Sequence, residues 1–257
     1  MLQGKIVAIT GASSGIGAVM ARMLADKGAV PLLMARSLDK LTKISGTIAG
    51  NHRIYELDVT DTDMVVSVMD QARADFGRID ILINNAGYAV FERFANAPLS
   101  QFQEMMDVNY MGMVRCTKAV LPHMTELGRG HIVNIASMAG KVGSPKSTAY
   151  SASKHAVLGF TNSLRQELRH TGVMVSAINP GPIDTPFFDR ADPTGGYVNN
   201  IRWMLLQPEQ VARKAIRLIE RRKAELDLPF VAAAGTKLYQ LFPRLFDAVA
   251  SKLLNKK

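Results

Sequence analysis

A single cysteine, Cys116, stands in a chain of 257 residues. No intrachain disulfide can form, and a reducing compartment fits that composition. Histidine is nearly as scarce, and His52, His123, His131, His155 and His170 show none of the spacings of a metal-ligand set. No apolar run approaches the roughly 18 residues of a membrane span. The first ten residues lead directly into a strand-like segment, with no room for a secretory signal, so the cytoplasm is the expected compartment. Internal repeats and low-complexity linkers are also missing, which points to one domain. Charged residues are only 21% of the chain and apolar residues 47%, enough to build a large core and too apolar for disorder. The formal charge is +9, and from Arg202 onward twelve basic residues face five acidic ones, a net of +7. No aromatic-and-basic motif accompanies that charge, so a solvated helix face is preferred over a nucleic-acid footprint.

What is present is an alternation of short β-branched runs with longer amphipathic segments. Strands are expected over 5–10, 30–35, 53–58, 79–84, 131–137, 173–179 and 226–230, and several are apolar nearly throughout, as strands buried on both faces must be. Helices are expected over 16–27, 62–76, 98–126, 148–170 and 208–223, with Pro122 a late kink or stop in the third. The pattern predicts an α/β fold, a doubly wound (Rossmann) parallel sheet of about seven strands with helices on both faces. Residues 186–207 interrupt the alternation with Phe187, Phe188, Pro193, Gly195, Gly196 and Trp203, and a loop of that length in a compact domain suits a lid over a binding site.

The first strand runs into Gly11-Ala12-Ser13-Ser14-Gly15-Ile16-Gly17 and then a helix. Glycines there permit a tight turn and close backbone approach to a pyrophosphate, while the helix N-terminus supplies free amides and a favourable dipole. The spacing differs from the usual dinucleotide fingerprint, so its place between first strand and first helix carries the cofactor reading. After the second strand, where an NAD enzyme carries an acidic residue, the chain has Ala35-Arg36-Ser37. A guanidinium suits a 2′-phosphate, which favours NADP(H) over NAD(H), against the plainer reading of Arg36 as a surface residue opening the next helix. Tyr150 and Lys154 lie four apart in a helical segment and so share a face. An ammonium beside a phenol favours the phenolate and lowers a pKa that is otherwise about 10.

Thr10–Gly17, Asn84-Asn85-Ala86-Gly87, Ser137, Tyr150-Ser-Ala-Ser-Lys154 and Asn179-Pro180-Gly181 follow in order, and together they resemble the short-chain dehydrogenase/reductase family in its single-domain form of about 250 residues. The resemblance implies an oxidoreductase that interconverts a carbonyl and an alcohol by hydride transfer. It makes Tyr150 the general acid or base, Ser137 the partner of the substrate oxygen, and Lys154 the group that lowers the phenol's pKa and binds the nicotinamide ribose. Asn109, in Val108-Asn109-Tyr110, holds a water that relays protons toward Lys154; the plainer reading is a helix-interior asparagine. By the same resemblance Asp58 accepts from the adenine amino group beside Val59, although a capping role near Thr60 is open to it as well. Asn85, Ala86 and Gly87 contact the adenosine ribose, and Pro180, Ile183 and Thr185 cradle the nicotinamide. The alternative from another class is an NADP(H)-binding sensor or scaffold without turnover.

The substrate is a small carbonyl or alcohol compound. Tyr88, Val90, Phe91 and Phe94, with Phe187, Phe188, Trp203, Met204, Leu205 and Leu206, form either a lipophilic pocket for it or simply the packing of the lid. A basic amphipathic helix is expected over 236–257, where Leu238, Leu241, Leu245, Val249 and Leu253 recur among Lys237, Arg244, Lys252, Lys256 and Lys257, with Pro243 dividing it. Packing on its own domain or on a dimer partner is preferred for it over covering the substrate site or touching a membrane surface. In the family the long helices over 98–126 and 148–170 pair across a dimer, so a homodimer or homotetramer is expected.

Overall fold

The computed structural model describes residues 2–241. Seven parallel strands form one sheet in the order β3-β2-β1-β4-β5-β6-β7. They are β1 (Ile6–Thr10), β2 (Val30–Ala35), β3 (Arg53–Glu56), β4 (Ile81–Asn84), β5 (Gly130–Ile135), β6 (Val173–Pro180) and β7 (Glu225–Leu228). The order in which strands are added reverses between β1 and β4, and in doubly wound sheets the crevice at such a switch point, outside the carboxyl ends of the strands, is where ligands sit. β1, β4 and β5 are buried at every position. The edge strands β3 and β7 are short and half exposed, and they carry Arg53, Glu56, Glu225 and Asp227, charges that discourage pairing with another chain's edge.

Side chains of successive strand residues leave opposite faces. Val7 and Ile9 pack with Met20 and Leu24 of α1 (Gly15–Asp26) and with Ala212, Ile216 and Ile219 of α9 (Pro208–Glu220). Ile6 and Ala8 pack on the other side with Val65 and Met69 of α3 (Thr62–Phe76), Cys116, Val120 and Met124 of α5 (Gly112–Glu126), and Leu164 of α6 (Thr148–Glu167). Cys116 is filling in that layer, and burial pushes its thiol up to about 12. His131 is likewise a core residue, bonded to Ser176 at 2.8 Å and held down to about 4 by burial.

Several expectations change in detail. A helix given no bounds in the expectations, α2 (Leu38–Ser45), follows β2; its apolar stripe is short, with Leu41 buried and Ile44 partly buried against the core. The helix expected over 98–126 is α4 (Leu99–Met106), a π-helical turn (Asp107–Met111) and α5 in continuous succession, and Pro122 lies inside α5 without ending it. Ser137 stands two residues beyond β5, as the cap of a 3₁₀ turn (Met138–Gly140). The segment 186–207 is largely helical, with α7 (Phe187–Ala191), α8 (Gly196–Ile201) and a 3₁₀ turn (Arg202–Met204). The C-terminal helix begins earlier than expected, as α10 (Phe230–Leu241), and the remainder of the stretch expected over 236–257 lies outside the described residues. Among the described residues no helix is long and apolar enough to cross a membrane.

At the amino end of the sheet, Asp80 accepts from the Ile6 amide at 2.9 Å, Lys5 Nζ at 3.0 Å and Arg78 Nε at 3.0 Å. Burial pulls its pKa up, but the Ile6 amide and the Lys5 and Arg78 cations outweigh it, so the carboxyl sits below its ordinary value. A depressed carboxylate stabilises the fold above its unfolded pKa and loses that contribution as pH falls through the folded one. Asp80→Asn is expected to cost about 1–3 kcal/mol at neutral pH, the range for a buried group deprived of charged partners. In denaturant titrations the deficit relative to wild type should shrink below about pH 4; a constant deficit across pH would mean that shape, not charge, holds this corner.

Candidate active site

The site is built where β1 and β4 part. Thr10 Oγ1 accepts from the amides of Asn85 and Ala86, each at 3.0 Å, and Asn85 Nδ2 donates back to the carbonyls of Thr10 at 3.0 Å and Gly11 at 3.1 Å. The two loops are thereby pressed together. A Cβ on Gly11, which has φ +66°, would lie 2.8 Å from Ala86 Cα; one on Gly17 would lie 2.6 Å from both the Gly11 carbonyl and Asn85 Nδ2. Both positions require glycine for packing before any ligand is considered.

A cleft of about 1000 Å³ opens above this joint. Gly11, Ser13, Ser14, Gly15 and Ile16 line it from the first turn, Arg36 from the end of β2, Asp58 and Val59 beyond β3, and Asn85, Ala86 and Gly87 beyond β4. Ser137, Tyr150, Lys154, Pro180, Ile183 and Thr185 line its other half. Two of the anticipated residues do not reach it. Gly17 lies behind the turn, and Asn109 is buried behind Gly87, where a Cβ would come within 2.9 Å of Asn109 Oδ1 and 3.7 Å of Lys154 Nζ. Asp58 keeps a structural bond too, with Oδ1 accepting from the Thr60 amide and hydroxyl at 2.9 and 2.8 Å, but the cap of α3 is Asp61, which accepts from Met64.

Ser37 and Lys40 line the cleft beside the exposed Arg36, and the sequence reading passed over both. Ser37 caps α2, which turns Lys40 back toward the same end of the cleft. The signal was Arg36-Ser37 followed three residues later by Lys40, visible only once a helix is placed there. Among the described residues neither Arg36 nor Lys40 has an acidic partner within ion-pair distance.

At the opposite end Tyr150 and Lys154 project from one face of α6. Lys154 Nζ donates to the Ile135 carbonyl at 2.7 Å and stands 5.9 Å from the centre of the Tyr150 ring. Burial alone brings the Lys154 ammonium down to about 8. Burial also pushes the Tyr150 phenol up to about 12, with the Ser137 hydroxyl pulling the other way and Tyr197 adding to the rise. The expectation of a phenol lowered by its lysine is thus not what the protein's own groups produce. Both are removed from water, and the ammonium is aimed at a backbone carbonyl rather than at the phenol oxygen.

Ser137 Oγ accepts from the Ala139 amide at 3.0 Å and donates to the Pro180 carbonyl at 3.4 Å, a long bond that is readily exchanged. Asn109 occupies the π-helical turn. Its Oδ1 accepts from the Tyr88 amide at 2.9 Å, and its Nδ2 donates to the Tyr88 carbonyl at 2.9 Å and Ser153 Oγ at 3.0 Å. The side chain thereby clamps the loop after Gly87 to α6.

The apolar end of the cleft is only partly the one anticipated. Tyr88, Phe91, Phe187 and Phe188 line it, whereas Phe94 and Trp203 face solvent, and Val90 and Met204 to Leu206 do not reach it. Phe91 and Phe187 set their rings 6.3 and 5.8 Å from that of Tyr150. The segment carrying α7 is tied across the cleft by the Phe91 amide, which donates to the Ala191 carbonyl at 2.9 Å, and by the Arg190 guanidinium, 3.4 Å above the Tyr88 ring. The remaining wall is α10, through Ala232, Gly235, Thr236 and Tyr239.

The arrangement has counterparts among known proteins. The family model for short chain dehydrogenase matches residues 5–194. An uncharacterised oxidoreductase of Staphylococcus saprophyticus is 37% identical over 227 residues, covering 86% of this chain and 93% of its own length. A short-chain dehydrogenase/reductase of Burkholderia phymatum, solved with NAD, superimposes with a TM-score of 0.86 at 26% identity over 95% of both chains. A variant of the actinorhodin polyketide ketoreductase, solved with NADPH, gives 0.80 at 30% identity over 88% of this chain and 95% of its own. With a family match across most of the chain and the cleft at the switch point of a seven-stranded sheet, this protein belongs to the short-chain dehydrogenase/reductase family of oxidoreductases.

Proposed function

We propose that the protein is an NADP(H)-dependent reductase that interconverts a ketone or aldehyde and its alcohol, with Tyr150 as the general acid and base. The observation that carries this reading is the convergence of Ser137, Tyr150 and Lys154 at one end of a cleft whose other end holds Arg36 and Lys40. The donor set fits a phosphorylated dinucleotide. Ser14 caps α1 without a side-chain bond to its first amides, which leaves those donors and the helix dipole for a pyrophosphate. Arg36, Ser37 and Lys40 together suit a 2′-phosphate dianion, and Asp39, the acidic residue of that stretch, does not line the cleft. A cleft of about 1000 Å³ has room for dinucleotide and substrate together.

The bound dinucleotide supplies or accepts the hydride. The chain supplies position and the proton. Ser137 exchanges its long bond to Pro180 for one to the substrate oxygen. Tyr150 gives that oxygen its proton as the carbonyl is reduced. Lys154, poised near 8, is the residue through which the phenol is resupplied and the nicotinamide ribose held. Asn109 acts at one remove, by fixing the Gly87–Tyr88 backbone against α6.

Following NADPH oxidation against a panel of aldehydes and ketones tests the reaction. Tyr150→Phe is expected to lose about 10²- to 10⁴-fold in kcat while keeping NADPH affinity. Tight NADPH binding by the wild type with no turnover of any carbonyl would leave a sensor rather than an enzyme. Arg36→Asp should weaken NADPH by about 10-fold or more, a charge-assisted bond's worth, and move preference toward NADH; unchanged selectivity would remove Arg36 from phosphate recognition.

Lys154 also carries a stability signature. Its folded pKa is near 8 against an unfolded 10.5, so the unfolded chain binds more protons between those values and stability rises with pH there. Below pH 8 the buried ammonium costs about 3 kcal/mol, at 1.36 kcal/mol per unit. Lys154→Met is expected to abolish turnover and to flatten the pH dependence of unfolding free energy between about pH 8 and 10; a slope equal to that of wild type would show the lysine to be solvated in the folded state.

A further inference from the structure

The helix α10 has two apolar faces. Ala232, Gly235, Thr236 and Tyr239 turn into the cleft, at the end that Tyr150 and Phe187 line. Phe230, Val231, Leu238 and Leu241 turn outward and are 82%, 79%, 53% and 72% exposed. At roughly 100° per residue the two sets are centred about 140° apart around the axis, so the same helix separates the cleft from whatever meets its outer face. The lid, which lines the cleft through Phe187 and Tyr197, likewise carries Trp203 at 84% exposure.

We infer that α10 is a wall shared between the substrate cleft and an anionic lipid surface, and that the substrate is a lipophilic carbonyl compound drawn from that surface. The substrate class rests on the carbonyl-reductase reading above; the surface does not. Charge selects the occupant. Past Leu241 the chain continues for sixteen residues that repeat large apolar side chains, from Phe242 through Leu245 and Val249 to Leu253, and bear Arg244, Lys252, Lys256 and Lys257 against Asp247 alone. Apolar area beside a surplus of cations is the pairing that gives a peripheral protein a stable seat on an anionic bilayer, where either signal alone is marginal. A second copy of this chain carries the same positive surplus in its sequence, which opposes self-association. The outer face of α10 is also small for a dimer, on the order of 500 Å² against the about 800 Å² that each partner of a stable pair buries. Docking there sets the cleft wall at the depth where an apolar ketone partitions.

The test uses the purified full chain and vesicles of phosphatidylcholine alone or mixed with phosphatidylglycerol. Wild type should sediment with the mixed vesicles, be released by raised salt, and ignore phosphatidylcholine. The double variant Leu238→Glu/Leu241→Glu alters neither residue of the cleft lining and should bind the mixed vesicles at least tenfold more weakly, with NADPH affinity unchanged as the check on folding. Mixed vesicles should lower the wild-type KM for a long-chain ketone at least threefold and leave that for a short water-soluble ketone unchanged. Equal vesicle binding by wild type and double variant overturns the inference. So does absence of vesicle binding with a concentration-dependent dimer that the double variant abolishes, which would assign the face to a second copy. Vesicle binding needs no turnover, so failure to reduce any carbonyl would sink the proposed reaction and leave the surface standing.

Discussion

The cleft hangs on the joint between β1 and β4. At the switch point two neighbouring strands must send their chains to opposite faces of the sheet, so the backbone ladder that holds them together runs out just where the site begins. Thr10 and Asn85 replace it with four side-chain bonds, none longer than 3.1 Å. Only with that brace can Gly11 approach Ala86 closely enough to exclude a Cβ, and only then do the glycine turn and the loop after β4 form one floor. Asn85 is thus as much a fastener as a contact for the cofactor. The Asn109 amide repeats the device one layer out, gripping both the amide and carbonyl of Tyr88 and reaching Ser153 on α6. The two asparagines connect the dinucleotide floor to the helix that carries Tyr150 and Lys154.

This architecture was readable in the sequence wherever one local rule decided the outcome. The central strands are apolar throughout because both faces are covered, and the glycine turn announces itself between a strand and a helix. Tyr150 and Lys154 share a face by spacing alone. What escaped was decided by tertiary context. α2 is only eight residues long, so the spacing of Leu38, Leu41 and Ile44 was too brief to stand out, and Lys40 stayed out of the cleft until the helix existed to carry it there. Gly17 follows the same motif as its neighbours but serves packing, a distinction that depends on where Asn85 points. The C-terminal helix starts at Phe230, ahead of the stretch expected over 236–257, most of which lies outside the described residues. Its inner face joins the cleft, a partner that no spacing rule names.

The electrostatics of the catalytic end run against intuition drawn from isolated pairs. A lysine four residues from a tyrosine ought to lower the phenol, but in this cleft burial dominates both groups and drives them apart, the phenol upward and the ammonium downward. The result is a neutral acid beside a cation that is expensive to keep, both held by a rigid helix. Such a pair is destabilising as architecture, since each group is displaced from its solution preference by the loss of water around it.

The π-helical turn at Asp107–Met111 bears on how freely this protein can change. One surplus residue within an otherwise α-helical rod shifts the phase of everything after it by about 100°. α4 places Met105 inward, and α5 buries Met113, Cys116, Val120 and Met124 against the sheet. Those two stripes are in step only because the turn absorbs the extra residue. Removing one residue from the turn would restore a regular helix with both stripes still in step, and what it would displace is the turn itself, from which Asn109 reaches Tyr88 and Ser153. The surplus residue is therefore carried for the sake of the site rather than of the core, with Asn109 sitting at the point where the rod slips a residue.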